Sequence, residues 1–209
     1  MDNSKLENME EVLTRSSDLF LRYGLKSNTM DDIARHLGIS KKTLYQYVSN
    51  KEDLLEKCFH FTFNQISENL IHISKEAPDA ITELFEMDRS LIENRKKRNP
   101  VVLHDLKKFY PRLQEQIYRL NQKHIQKYIQ NNIERGMEEG LYRNDLHPEI
   151  LAKIYVNRQE TLVNEDLFPL TKFSFEEIIY EHLSYHIRGL ATLAGIIKLE
   201  TVKKDFFQS

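Results

Sequence analysis

Glycine and proline are scarce, six and five residues in a chain of 209. Long stretches run without either and are filled with Leu, Ile, Glu, Lys and Gln, which extend helices readily. This predicts an all-α protein. The one cysteine, Cys58, has no partner for an internal disulfide, and no Cys/His spacing suits zinc. No run of 18 apolar residues exists, and the opening MDNSKLENMEE has no apolar signal core. A reducing cytoplasmic setting without a membrane partner is expected. No Ser/His/Asp motif or phosphate-binding glycine loop appears. The pairs Glu138–Glu139 and Glu176–Glu177 are adjacent on helices, so each points in two directions. No catalytic residue, metal or cofactor is expected.

Cationic excess is also missing. The net charge is −2, and residues 1–60 hold nine Lys/Arg against ten Asp/Glu. The chain is not a generally basic nucleic-acid binder. Its charge is segregated, however. From Ile33 to Lys51 stand four cations (Arg35, Lys41, Lys42, Lys51) and no acid. A local basic face is what phosphate contact requires.

What is present is helical periodicity with clear stops. Apolar residues recur at spacings of three and four from Lys5 to Tyr23, including Leu6, Val12, Leu13, Leu19 and Phe20, and Gly24 ends the run. Thr29 with Asp32 is a capping box for a second helix, whose buried stripe is Ile33, Ala34 and Leu37. Gly38 closes it. Ser40 caps a third helix with Leu44 inward, and a fourth begins near Asn50. Pro78, Pro100, Pro111 and Pro148 suit the first turns of later helices. Ser174 with Glu177 is a second capping box and starts a last helix to about Leu193. The pattern gives about nine helices and no strand.

The segment TMDDIARHLGISKKTLYQYVSNK, Thr29 to Lys51, reads as two short helices around a tight turn. A helix fits the major groove of DNA, and in a helix-turn-helix the second helix enters by its N-terminal end. Here that end carries Ser40, Lys41, Lys42, Thr43, Tyr45 and Gln46. Taken singly, the lysines read as solvated surface and Thr29 as a plain cap. Their joint placement points to DNA.

These residues resemble the TetR family of transcriptional regulators. The likeness rests on Leu19-Phe20 and Tyr23-Gly24, Thr29 with Asp32-Ile33-Ala34, Leu37-Gly38-Ile39-Ser40, Lys41 through Tyr47, and Lys51-Glu52-Asp53-Leu54-Leu55. It is dense over about residues 5 to 60. Asn28, Lys42 and Val48 depart from the family's frequent residues. The resemblance implies that Thr29, Tyr47 and Lys51 hold phosphates, while Lys41, Lys42, Thr43 and Tyr45 face the groove. It further implies a three-helix DNA-binding domain over residues 1–49 and a larger ligand-binding and dimerisation domain over 50–209.

For the second part the residues leave choices open. Phe63, Phe85, Phe109, Tyr118, Tyr155 and Arg158 are candidates for an effector pocket, and ordinary core packing explains the same aromatics. Arg158 suits an acidic ligand or a pairing with Glu160 at a dimer seam. The resemblance implies a homodimer interface of four helices from the last two long helices of each copy, with Ile179, Leu183, His186, Ile187 and Leu190 as the candidates on the last helix. His182 and His186 are spaced as metal ligands can be, but no third ligand is evident. The expectation is a homodimeric repressor that binds a near-palindromic double-stranded operator and is released by an unknown small molecule. Two alternatives stand beside it, a helical protein-interaction module that keeps the motif as scaffold and a regulator without a small-molecule effector.

Overall fold

The computed structural model describes residues 3–96, 99–162, 164 and 166–206, without the side chains of 3–8, 159, 160 and 204–206. Lys97 and Arg98 of the charged connection, Glu165, and the side chains of Leu6 and Glu160 therefore lie outside the described residues. Among the described residues ten helices follow one another: α1 Asn3–Tyr23, α2 Met30–Leu37, α3 Lys41–Tyr47, α4 Lys51–Glu76, α5 Ala80–Lys96, α6 Pro100–Phe109, α7 Pro111–Glu138, α8 Pro148–Leu162, α9 Phe175–Leu190 and α10 Leu193–Phe206. None is long and apolar enough to cross a membrane, among the described residues. The tenth helix is a difference from the expected nine. The run read as one last helix breaks at Ala191, which is extended at ψ 147. It restarts where the Thr192 hydroxyl accepts the Gly195 amide.

The packing forms two units. Residues 1–68 with 96–119 make the first, and residues 69–95 with 120–209 the second. The expected division after residue 49 follows the order of the chain. The contacts instead gather residues 51–68 and 96–119 around the first three helices, so α4 and α7 each contribute to both units.

The first unit closes over Val12, Leu13, Leu19, Phe20, Leu25, Ile33, Leu37, Leu44, Leu54, Leu55, Leu106 and Leu113. These are the apolar positions that the three-and-four spacing picks out, brought together because each helix has one such stripe to bury. Cys58 lies among them, its Sγ 3.8 Å from the Leu13 carbonyl. Burial pushes its thiol up to about 12.

The second unit has its own core of Ile81, Leu84, Phe85, Ile129, Ile133, Tyr142, Tyr155, Leu183, Ile187 and Leu199. Arg135 of α7 ties its periphery, donating to the carbonyls of Ser74 and Ala77 and to the carboxylates of Glu83 and Glu139. One residue on, Gly136 admits the Tyr142 ring. A Cβ there would fall 2.1 Å from Tyr142 Cδ2, so any larger residue would displace the ring or the helix.

Candidate nucleic-acid interface

Local rules build the interface. Thr29 caps α2 by accepting the Asp32 amide at 3.2 Å, and Asp32 Oδ2 in turn accepts the Thr29 amide at 3.0 Å and its hydroxyl at 2.5 Å. The capping box read from sequence is therefore complete. These bonds from Thr29 hold the Asp32 carboxyl below its ordinary value. α2 ends at Gly38, whose φ of +73° is the left-handed conformation that glycine adopts without a Cβ penalty. The amides of Gly38 and Ile39 return to Arg35 and Ala34. Two residues later Ser40 caps α3 by accepting the Thr43 amide at 3.0 Å.

Leu44 fixes the rotation of α3. It is 0% exposed and seated in the first core, with Val48 buried just beyond the helix. A 3.6-residue period then turns Lys42, Tyr45 and Gln46 away from Leu44, and Lys41 stands beside them at the exposed first turn. All four are exposed, Tyr45 by 43%. Thr43 sits at the edge of this face, its Oγ1 2.8 Å from Ser40 Oγ, and Tyr47 packs partly into the core. The structure thus brings together Lys41, Lys42, Thr43, Tyr45 and Gln46, while Thr29 and Lys51 stand at neighbouring helix starts.

The charges on this face are not equivalent. Lys41 Nζ lies 2.9 Å from Asp31 Oδ2 of α2, and that hydrogen bond raises the lysine's pKa. Lys42 makes no ion pair among the described residues. Lys51 is half-buried, and its Nζ donates to the Lys26 carbonyl at 3.3 Å. Burial lowers its pKa although Asp105 and Asp32 oppose the shift. The run without acids in the sequence is therefore partly neutralised in space, because α2 carries Asp31 to the tip of α3.

Sequence reasoning missed two supports of this surface. One is Asp31. The other is Asp105 of α6, buried in the first unit, which accepts the amides of Leu25 and Lys26. Its signal was a carboxylate inside the apolar phrase Val101-Val102-Leu103-His104-Asp105-Leu106. Asn28, a departure from the family's pattern, has a local task. It is buried and donates to the Gly24 carbonyl at 2.9 Å.

Residues 12–58, which hold this whole constellation through α3, match the family described as bacterial regulatory proteins, tetR family. This N-terminal segment is that of the TetR family. Among curated TetR-like relatives, an uncharacterized HTH-type transcriptional regulator of Haemophilus influenzae is 27% identical over 112 residues, 52% of this chain and 58% of that protein. The HTH-type regulator YvaF of Bacillus subtilis is 33% identical over 104 residues, 48% of this chain and 53% of that protein. The matched stretch thus spans about half the length of these relatives. The TetR-like fold extends further. A transcriptional regulator of Cytophaga hutchinsonii superposes with a TM-score of 0.73 at 18% identity, over 90% of this chain and 99% of that one. The fatty acid degradation regulator FadR of Bacillus halodurans gives 0.63 at 17% identity, over 86% and 98%.

The other TetR-type site residues fall as follows. Of the pocket candidates, Phe63, Phe109 and Tyr118 belong to the first unit, and Lys26 Nζ lies 4.1 Å above the Phe109 ring. Phe85, Tyr155 and Arg158 belong to the second unit. Phe85 and Tyr155 are in its core, and the Arg158 guanidinium lies 5.3 Å from the Tyr185 ring centre. The residues of the expected dimer face are covered within the chain. Ile179, Leu183, His186, Ile187 and Leu190 are buried inside the second unit, none more than 8% exposed. The apolar stripe of α9 packs against neighbours within its own unit. His182 and His186 do not complete a metal set, since no three His, Cys, Asp or Glu side chains converge as ligands among the described residues.

Proposed function

We propose that this chain is a DNA-binding transcriptional regulator, a repressor released by a small-molecule effector, and that it acts in the cytoplasm as a homodimer on a near-palindromic operator. The observation that carries this reading is the exposed face of α3. Lys42, Tyr45 and Gln46 face away from the buried Leu44, and Lys41 joins them at the exposed first turn. Such a face presents cations to phosphates, and an amide and a phenol to base edges. Thr43 borders it on the groove side, and Thr29, Tyr47 and Lys51 flank it as proposed phosphate contacts. Two copies would place their α3 helices in successive major grooves about 34–36 Å apart.

The dimer face is proposed on side chains that the fold leaves outside. Ile150 and Ile154 of α8, and Leu193 and Ile197 of α10, are exposed pairs four residues apart. Apolar pairs at that spacing are what a bundle of helices from two copies buries. The effector site is proposed in the second unit, around Phe85, Tyr155 and Arg158.

A regulator rather than an enzyme also suits the carboxylates that the sequence paired. Glu139 accepts the Ala80 amide and the Arg135 guanidinium, and Glu177 closes the cap of α9. Both have structural employment. Selection of bound duplexes from a random DNA pool tests the proposal. Enrichment of a two-fold-symmetric sequence supports it, and retention without enrichment of any sequence refutes it.

A further inference from the structure

Buried polar atoms almost always have partners. In the second unit three neighbouring side chains break that rule together. Asp88 of α5 is 2% exposed. Its Oδ1 lies 3.4 Å from the Tyr155 hydroxyl of α8, and its Oδ2 has no partner among the described residues. His182 and His186 of α9, 9% and 8% exposed, stack in parallel with ring centres 6.3 Å apart. Both lie against the Tyr155 ring, at 5.1 and 4.7 Å, and the Nε2 atom of each is buried without a partner among the described residues. Three helices thus gather a carboxyl and two imidazoles around the Tyr155 side chain and leave three acceptor-capable atoms unanswered.

The chemistry of these atoms narrows what they can receive. Asp88 forms no ion pair among the described residues, and burial pushes its carboxyl up to about 7, with only the Tyr155 hydrogen bond opposing. The missing element is a positive charge with N–H groups. An anion fits badly. Burial, with help from the Arg158 charge, drives His182 down to about 4 and His186 to about 3, so both rings are neutral at physiological pH, and the nearby Arg158 guanidinium is engaged with the Tyr185 ring. A wholly apolar molecule would leave the three atoms as they are. A metal ion lacks its ligand set, as described above. A protonated amine answers every point. It donates to Asp88 Oδ2 and to imidazole nitrogens that carry their proton on Nδ1, and it rests against aromatic faces.

We propose that Asp88, Tyr155, His182 and His186 form the recognition end of an effector site, and that the effector is an organic cation, a protonated amine on a small apolar or aromatic body. This rests on the reading of the chain as an effector-controlled regulator. Asp88 supplies the counter-charge, Tyr155 orients its carboxyl, and the paired imidazoles take the remaining N–H groups.

Isothermal titration of the full-length protein at pH 8 tests the site. The probes are primary ammonium ions from ethylammonium to 4-phenylbutylammonium, with the alcohol and carboxylate of matching length. The expected result is that at least one ammonium ion binds, with affinity at least tenfold above its alcohol, while the carboxylates do not bind. Asp88→Asn keeps the shape and removes the charge. It should weaken the ammonium ion at least thirtyfold and change alcohol binding less than threefold, which also shows that the variant remains folded. Equal binding of ammonium and alcohol, preference for a carboxylate, no binding of any ammonium ion, or an unaffected Asp88→Asn variant each overturns the proposal. Duplex selection with the same protein stands apart from these titrations. A failed titration with an enriched operator removes the cation site and leaves the regulator intact.

Discussion

Asp105 accepts the backbone N–H of Leu25 at 2.9 Å across 80 residues of sequence, and the same oxygen accepts the Lys26 amide at 2.9 Å. A buried carboxylate on α6 therefore holds the corner between α1 and α2. That corner leads within three residues to the Thr29 cap, and Lys51 donates to the Lys26 carbonyl on its other side. α6 is fastened to the peptide groups that set the height of α2 beneath the recognition face.

Removing that fastening leaves the buried Leu25 amide and the part-buried Lys26 amide without acceptors. Asp105→Ala should destabilise the protein by about 2–4 kcal/mol, because charge-assisted bonds and orphaned donors both count. Asp105→Asn retains an oxygen acceptor and should recover part of the loss. Urea unfolding followed by circular dichroism measures both. Equal stability of the alanine variant and the parent would show that the corner holds itself.

The two lysines of α3 should act unequally on DNA. Lys42 is unpaired among the described residues and exposed, so Lys42→Ala should lower affinity and reduce the slope of log affinity against log salt by about one. Lys41 already shares its charge with Asp31. Lys41→Ala should weaken binding less, and Asp31→Asn should strengthen it by releasing Lys41 toward phosphate. Gel shifts between 50 and 200 mM salt, on the selected operator, compare the three variants. An unchanged affinity and slope in the Lys41→Ala/Lys42→Ala double variant would contradict this face.

Acid and base should pull the second unit in opposite directions. Burial lifts Asp88 from 3.8 to about 7, so the folded state keeps a proton that the unfolded chain releases. The stability from this group is full below pH 3.8 and is lost as pH rises toward 7. His182 and His186, lowered from 6.5 to about 4 and about 3, act the other way. Their contribution is full above pH 6.5 and is lost as pH falls through 4 and 3. Asp88→Asn should therefore be more stable at pH 8, relative to its difference from the parent at pH 4, by on the order of 2–4 kcal/mol. Denaturation curves at pH 4, 6 and 8 give the difference directly. A constant difference over that range would mean that Asp88 ionises as it does in water.

Charge introduced on the proposed dimer face should separate the copies without unfolding them. Ile154→Glu or Ile197→Glu should give a helical monomer by light scattering. Ile187→Glu lies in the core and should instead abolish folding, since a buried unpaired carboxylate costs several kcal/mol, roughly, in real proteins. A dimer that survives both exposed substitutions would place the interface elsewhere.

The sequence made the first unit legible because its signals are local. Thr29 with Asp32, Gly38 and Ser40 each act on backbone within five residues, and the structure realises all three. The side that α3 exposes also follows from period alone once Leu44 is inside. The second unit yielded less. The stripe on α9 marked Ile179, Leu183, Ile187 and Leu190 as buried, but periodicity cannot say whether the covering surface belongs to the same chain or to another. Asp105 lay inside an apolar phrase and Asp88 between Glu86 and Arg89, where an acidic residue reads as a surface position until long-range contacts place it. Asp31 was visible, ten residues before Lys41. Only the tight turn at Gly38 brings them face to face.

The burial of Cys58 gives the protein a built-in clock. A thiol sealed among Leu13, Leu54 and Leu55 and held in its protonated form reacts with a labelling reagent only after the first three helices part from α4. With no second sulfhydryl in the chain to confuse the signal, the labelling rate reads out how often the reading head loosens, and operator DNA should slow it in proportion to its grip.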